Sequence, residues 1–232
     1  MTNKTILIVG ASSGIGYELA RRLLAAGATV LSASRHAPEG LDVRHIDWDA
    51  TQPDAALKDH LPEVLHGLVY APGTINLKPF NRLTLNDFQS DFQVNVLGAI
   101  AALQAAALPL KKAEGASVVL FSTVAVQTGM AFHASVATSK GALEGLARSL
   151  AAELAPQHVR VNAIAPSLTD TPLAKFLLNS PEKQDSSNKR HPLGRYGTPA
   201  DIAAAAEFLL SEASTWMTGQ VLGVDGGMGS LK

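Results

Sequence analysis

The stretch 4–26, KTILIVGASSGIGYELARRLLAA, constrains this chain more than any other. Thr5 to Val9 is a short apolar, β-branched run, the composition of a strand buried in a parallel sheet. Gly10-Ala11-Ser12-Ser13-Gly14-Ile15-Gly16 follows at once. Tyr17, Leu19, Ala20, Leu23 and Leu24 then recur at helical spacing until Gly27 ends the helix. Glycines let such a turn tighten and bring its backbone against a ligand. The free N–H groups of the first helical turn, at the positive end of the helix dipole, then face an anion. A diphosphate suits that cradle, which makes Gly10, Ser12, Ser13, Gly14, Ile15 and Gly16 the expected pyrophosphate-binding set. An ordinary strand-to-helix turn is the competing reading. The position of the turn after the first strand favours the nucleotide.

The remaining composition narrows the class. With 232 residues and 47% hydrophobic content, the chain has enough apolar surface for one sizeable core, so one domain over 1–232 is expected. A net charge of −1 with interspersed signs gives no electrostatic footprint for nucleic acid. The lack of cysteine excludes disulfides, thiolate catalysis and cysteine metal sites, and no metal is predicted. The first strand begins by residue 4 or 5, so no signal peptide is expected. The run Val96 to Leu110 is alanine-rich, is broken by Gln104 and is too short to span a bilayer. Together these features predict a soluble, cytoplasmic protein with a small-molecule substrate and neither nucleic acid nor membrane as partner.

Further strands are expected at Thr29–Ala33, Arg44–Ile46, Gly67–Ala71, Ser117–Phe121, Val159–Ile164 and in the segment from Gly219, with helices between them at Asp87–Lys111, His133–Pro156 and Pro199–Leu210. The alternation predicts a doubly wound α/β fold, a seven-stranded parallel sheet with helices on both faces. NAD sites usually place an acid after the second strand, where it holds the ribose 2′-hydroxyl. Here the strand runs into Ser34-Arg35-His36, and Arg35 is a cation suited to a 2′-phosphate. Ser34 and Arg35 therefore favour NADP(H) over NAD(H). Asn95 sits in an apolar helical run and must find polar partners there. The polar stretch from Lys175 to Arg190 reads as a mobile lid within a substrate region at 167–198, or as disorder.

The G-x-x-x-G-x-G turn, Asn95 in N-V-x-G, Ser139-Lys140-Gly141 and the closing Asp225-Gly226-Gly227 resemble the short-chain dehydrogenase/reductase family from Gly10 to Gly227. The resemblance implies a Rossmann fold and a nicotinamide cofactor. It places Asp47 on the adenine amino group with the Trp48 backbone beside it, and Ala71 and Gly73 along the cofactor. Tyr70-Ala71-Pro72-Gly73 keeps only the last residue of the family's N-N-A-G, and Tyr70 either packs or touches the cofactor. Pro166, Leu168 and Thr171 lie in a segment resembling P-G-x-x-x-T, whose backbone meets the nicotinamide carboxamide, with Ser167 in place of the usual glycine. Asn95 is implied to bend its helix and hold a water beside the lysine. Thr123 matches the hydroxyl position, and Lys140 is the lysine that holds the ribose. Family members commonly form tetramers through two long helices. A homo-oligomer is therefore expected, with the small residues from Ala99 to Ala107 allowing close packing.

One position departs from the family. Four residues before Lys140 stands Val136, where the family's tyrosine belongs. Reducing a carbonyl leaves an alkoxide that must be protonated, and a positioned acid contributes roughly 10²–10⁴-fold. Valine donates nothing. Three accounts follow. A different group donates: His133, seven residues before Lys140 at the spacing used by enoyl reductases of the superfamily, or water. Alternatively, the protein binds nucleotide without catalysis, as a sensor or partner subunit. In the third account it carries out a lyase-type step. Ser135 is a weaker donor candidate. The expected function is an NADP(H)-dependent oxidoreductase acting on a small carbonyl, alcohol or activated alkene, with Asn95, Thr123, Lys140 and His133 at the reacting centre.

Overall fold

A computed structural model describes residues 1–53 and 55–231; Asp54 and Lys232 lie outside the described residues. Seven strands, β1 Thr5–Val9, β2 Thr29–Ser34, β3 Arg44–Asp47, β4 Gly67–Tyr70, β5 Ser117–Phe121, β6 Arg160–Pro166 and β7 Val221–Val224, form one sheet. Every pairing is parallel and the order is β3-β2-β1-β4-β5-β6-β7. The chain winds outward from β1 in one direction, then returns to β4 and winds in the other. That reversal opens a crevice at the carboxyl ends of β1 and β4.

The two-residue period of β1 assigns its side chains to two cores. Ile6 and Ile8 pack with Leu19, Ala20 and Leu23 of α1 (Gly14–Ala25) and with Ile202, Ala203, Ala206 and Leu209 of α7 (Pro199–Leu210). Leu7 and Val9 face the opposite layer. There they join Ala99, Ala102, Leu103 and Ala106 of α3 (Gly98–Lys111) and Leu143, Ala147 and Ala151 of α5 (Ala134–Leu154). Small residues on these helices let them lie close to the sheet. Ala99, Ala102 and Ala106, expected at a subunit contact, are thus covered by the chain's own core.

The helix expected from Asp87 is α2 (Leu85–Phe92), a five-residue π segment at Gln93–Leu97, and then α3. Thr84 and Asp87 start α2 with a reciprocal capping box. A π turn disturbs the regular ladder of carbonyl bonds, and side chains supply the partners here. Asn95 donates its amide to the Asp91 carbonyl at 2.7 Å, and the Tyr70 hydroxyl donates to the Val94 carbonyl. Tyr70 is fully buried, which settles its two readings in favour of packing. The whole helical stretch Leu85–Lys111, with mean hydropathy 1.5, is long and apolar enough by length and composition to cross a membrane. Part of its apolar surface, with Ala99, Ala102, Leu103 and Ala106, packs in the core against the sheet.

The polar run after Lys175 is ordered. A 3₁₀ turn at Pro172–Leu177 leads into α6 (Pro181–Arg190). Ser180 caps α6, Pro181 opens it, Glu182 sits in its first turn and Lys189 and Arg190 in its last, each suited to the local end of the helix dipole. One further short helix, α4 (Ala125–Thr128), follows β5.

Gly98 holds the π segment against β4. A Cβ there would lie 2.3 Å from the Tyr70 hydroxyl and 2.7 Å from the Ala50 carbonyl. Gly98→Ala should therefore destabilise the protein by about 1–3 kcal/mol in denaturant unfolding, the usual cost of overpacking.

Candidate active site

The crevice holds two adjoining cavities. The first, about 290 Å³, runs from the β1–α1 turn to the end of β2. Gly10, Ser12, Ser13, Gly14, Ile15 and Gly16 all line it. Ser13 occupies the N-cap of α1 without a side-chain cap, and no acid sits in the first turn, so the helix start meets the cavity with its positive end unneutralised. Gly16 packs against the start of the turn: a Cβ there would stand 2.3 Å from the Gly10 carbonyl oxygen.

Ser34, Arg35, Trp48, Ala71 and Gly73 also line this cavity. Arg35 is exposed, and among the described residues its guanidinium makes no hydrogen bond or ion pair. Asp47 is not on the wall. In β3 the strand period buries Ile46 and Trp48 and turns Asp47 outward, and Asp49 reaches the cavity instead. Asp49 accepts the Thr51 N–H at 2.8 Å, which holds its carboxyl below the ordinary range with a smaller contribution from the Arg35 charge. The resemblance named Asp47, two positions away, for the adenine end.

The second cavity, about 240 Å³, shares Ala71, Gly73, Thr171 and Leu173 with the first. Thr123, Lys140, His133, Val136, Pro166, Leu168 and Thr171 all line it, so one chamber gathers these expected residues. Thr123 accepts the Ala125 N–H at 3.3 Å, leaving its own proton free to donate into the chamber. Below it, Ser122 donates to the buried Glu144 carboxylate at 2.7 Å and pins the end of β5 to α5.

Lys140 is buried, and desolvation pushes its ammonium down to about 8, against the opposing charge of Asp91. Its Nζ and the Asn95 Oδ1 approach the same point, 3.3 and 3.5 Å from where a Gly73 Cβ would stand. Asn95 donates to Thr74 Oγ1 at 2.8 Å as well as to Asp91, while its buried Oδ1 has no partner among the described residues. An unpartnered acceptor beside a buried ammonium fits a polar group held between them.

Val136 is buried on the chamber wall. Ser135 lies on the other side of α5, where its hydroxyl is committed to the Asp91 carboxylate, so it cannot serve the chamber. His133 caps the start of α5 and turns Nδ1 to the Ala131 carbonyl at 2.7 Å. A carbonyl only accepts, so Nδ1 carries a proton and Nε2 is the atom left for other work. The ionisable side chains on this wall are His133, Lys140 and Arg190, all basic, with no carboxylate among them.

Residues 10–229 match the family model described as enoyl-(acyl carrier protein) reductase. L-xylulose reductase of Bos taurus is 34% identical over 98% of this chain and 97% of that protein. The 3-oxoacyl-[acyl-carrier-protein] reductase FabG of Aquifex aeolicus is 31% identical over 98% of each. Among solved structures, the aldohexose dehydrogenase of Thermoplasma acidophilum superposes with a TM-score of 0.91 at 30% identity, covering 98% of this chain and 94% of that one. ElxO with NADP bound superposes with a TM-score of 0.89 at 25% identity, covering 98% and 99%.

The buried lysine gives the protein a pH signature without ligand. Between about 8 and the ordinary lysine value of 10.5, the unfolded chain holds the proton that the folded chain has lost. Unfolding free energy contributed by this group should therefore rise with pH across that window. Denaturant titrations at pH 8 and 10 should show the rise in the wild type and a flatter dependence in Lys140→Met.

Proposed function

We propose that this chain, which belongs to the short-chain dehydrogenase/reductase family, is an NADP(H)-dependent oxidoreductase acting on a small carbonyl, alcohol or activated alkene. The observation that carries the reading is the continuity of the two cavities. A phosphate cradle at the start of α1 leads, through Ala71, Gly73, Thr171 and Leu173, to a chamber with Thr123 and Lys140. When bound, the nicotinamide would supply or accept the hydride.

The residues take distinct roles in this proposal. The α1 amides and Ser12 hold the diphosphate. Arg35, with no acid at the end of β2, meets a 2′-phosphate. Trp48 and Asp49 flank the adenine end, with Asp47 behind them. Pro166, Leu168 and Thr171 face the nicotinamide end. Lys140 binds ribose hydroxyls, and Asn95 Oδ1 anchors a polar group next to it. Thr123 donates to the substrate oxygen and polarises it toward hydride addition. Val136 supplies no proton, so delivery falls to another group; on the α5 side the candidates are His133 and water. We place the enzyme in the cytoplasm, as a homo-oligomer associating through the outer faces of its long helices, where Phe92, Leu97 and Leu108 are exposed.

Two measurements test this. Fluorescence titration should show tighter binding of NADPH than NADH, and Arg35→Ala should weaken NADPH about tenfold or more while sparing NADH. Equal affinity in the wild type removes the role of Arg35. On a panel of small ketones, aldehydes and 3-oxo esters, the wild type should consume NADPH. Turnover by Val136→Tyr alone would instead mark a nucleotide-binding protein without catalysis.

A further inference from the structure

The wall opposite α5 carries a second, better organised polar pair. Ser167 lines the chamber with Thr123 and Lys140, and its Oγ lies 2.6 Å from Nε2 of His191. His191 is 3% exposed, and its Nδ1 lies 2.7 Å from the Ser187 carbonyl of α6. That carbonyl only accepts, so Nδ1 carries a proton in either charge state of the ring, and Nε2 faces the serine. A hydroxyl, a base in contact with it and a third group orienting the base is the arrangement that moves protons at reacting centres. The second contact of the hydroxyl is the Met228 sulfur at 3.1 Å, a weak acceptor that also lines the chamber. His133 has no such relay: its ring is tied to a carbonyl two residues away and stands partly exposed at the start of α5.

We propose that Ser167 is the proton-transferring residue of this chamber and that His191 is its positioning and recharging partner. The inference rests on the oxidoreductase reading and names the group that takes over from the absent tyrosine. In carbonyl reduction the carbonyl carbon receives a hydride from NADPH, and the π pair moves onto oxygen. That oxygen takes the proton of Ser167 Oγ, and Ser167 takes the Nε2 proton of the His191 imidazolium. The ring is left neutral with Nδ1–H still on Ser187. Ketone, NADPH and one proton become alcohol and NADP⁺. Ser167 is only half-buried, so once product leaves, the proton returns to His191 from solvent through the same hydroxyl. Alcohol oxidation runs the steps in reverse.

The experiment is steady-state reduction of the carbonyl panel by NADPH in H₂O and D₂O, for wild type, Ser167→Ala, Ser167→Gly, His191→Gln and His133→Ala. Ser167→Gly restores the residue usual at this position in the family, and thermal unfolding checks that the variants fold. The Ser167 variants should lose about 10²-fold or more in kcat, the lower part of the range for a positioned acid, with NADPH affinity unchanged. What remains should show a diminished solvent isotope effect. His191→Gln should lose kcat and isotope effect together, which a purely structural role would not produce. A Ser167→Ala enzyme with wild-type kcat and isotope effect, or loss confined to His133→Ala, overturns the assignment while leaving the oxidoreductase reading intact. A wild type that binds NADPH but reduces nothing on the panel overturns both.

Discussion

An all-parallel sheet must bring every strand out at the same edge, and the structure follows from that constraint. Each crossover helix returns the chain to the opposite edge, so loops, helix starts and free backbone amides collect together at the carboxyl ends. Reversal of the winding between β1 and β4 then opens a crevice at that edge. The Gly10–Gly16 turn, Asn95, Thr123, Lys140 and Ser167 come from widely separated parts of the sequence. They meet there because the strands leave them there.

What could be read in advance depended on how local the cause was. β1, its turn and α1 were legible because apolar run, glycines and helical period lie within one short stretch. Val136 was read as a departure because Lys140 sets its register four residues away. The bend at Asn95 was implied by resemblance, but its physical basis, the Tyr70 hydroxyl on the Val94 carbonyl, crosses 24 residues and leaves no spacing to find. α6 was missed because its residues are polar all round and carry no apolar period. The signals that could have found it are its Ser-Pro-Glu opening and its basic end. The resemblance named Asp47 for the adenine end; Asp49, which lines the cavity, lies beyond the end of β3, where no strand period foretells which way a side chain turns. The Ser167–His191 pair joins a loop to the end of a helix 24 residues on, with no periodicity between them.

Several buried polar groups near the chamber are satisfied by specific partners. Ser122 meets Glu144, Ser135 meets Asp91, and Asn95 and Tyr70 satisfy carbonyls at the π segment. Each set satisfies a group whose burial alone would be costly. Lys140 stands apart, an ammonium away from water and without a bonded carboxylate, held where charge is disfavoured. The buried Lys140 ammonium and the Asn95 Oδ1, unpartnered among the described residues, thus stand together beside Gly73. Stability is given up at the position where a ligand can restore it.

The segment between β6 and α7 is fastened at its root. Asp170 N–H donates to the Gly197 carbonyl and Gly197 N–H to the Leu168 carbonyl, each at 2.9 Å, so the two ends of the excursion are stitched side by side. The excursion is fastened further along as well: Ser167 Oγ meets His191 Nε2, and Leu193 N–H donates to the Gly226 carbonyl at 3.1 Å. Thr171 and Leu173 line both cavities, so a change in the length or sequence of this excursion reaches both at once. Recognition and reactivity are thereby written into a single insert.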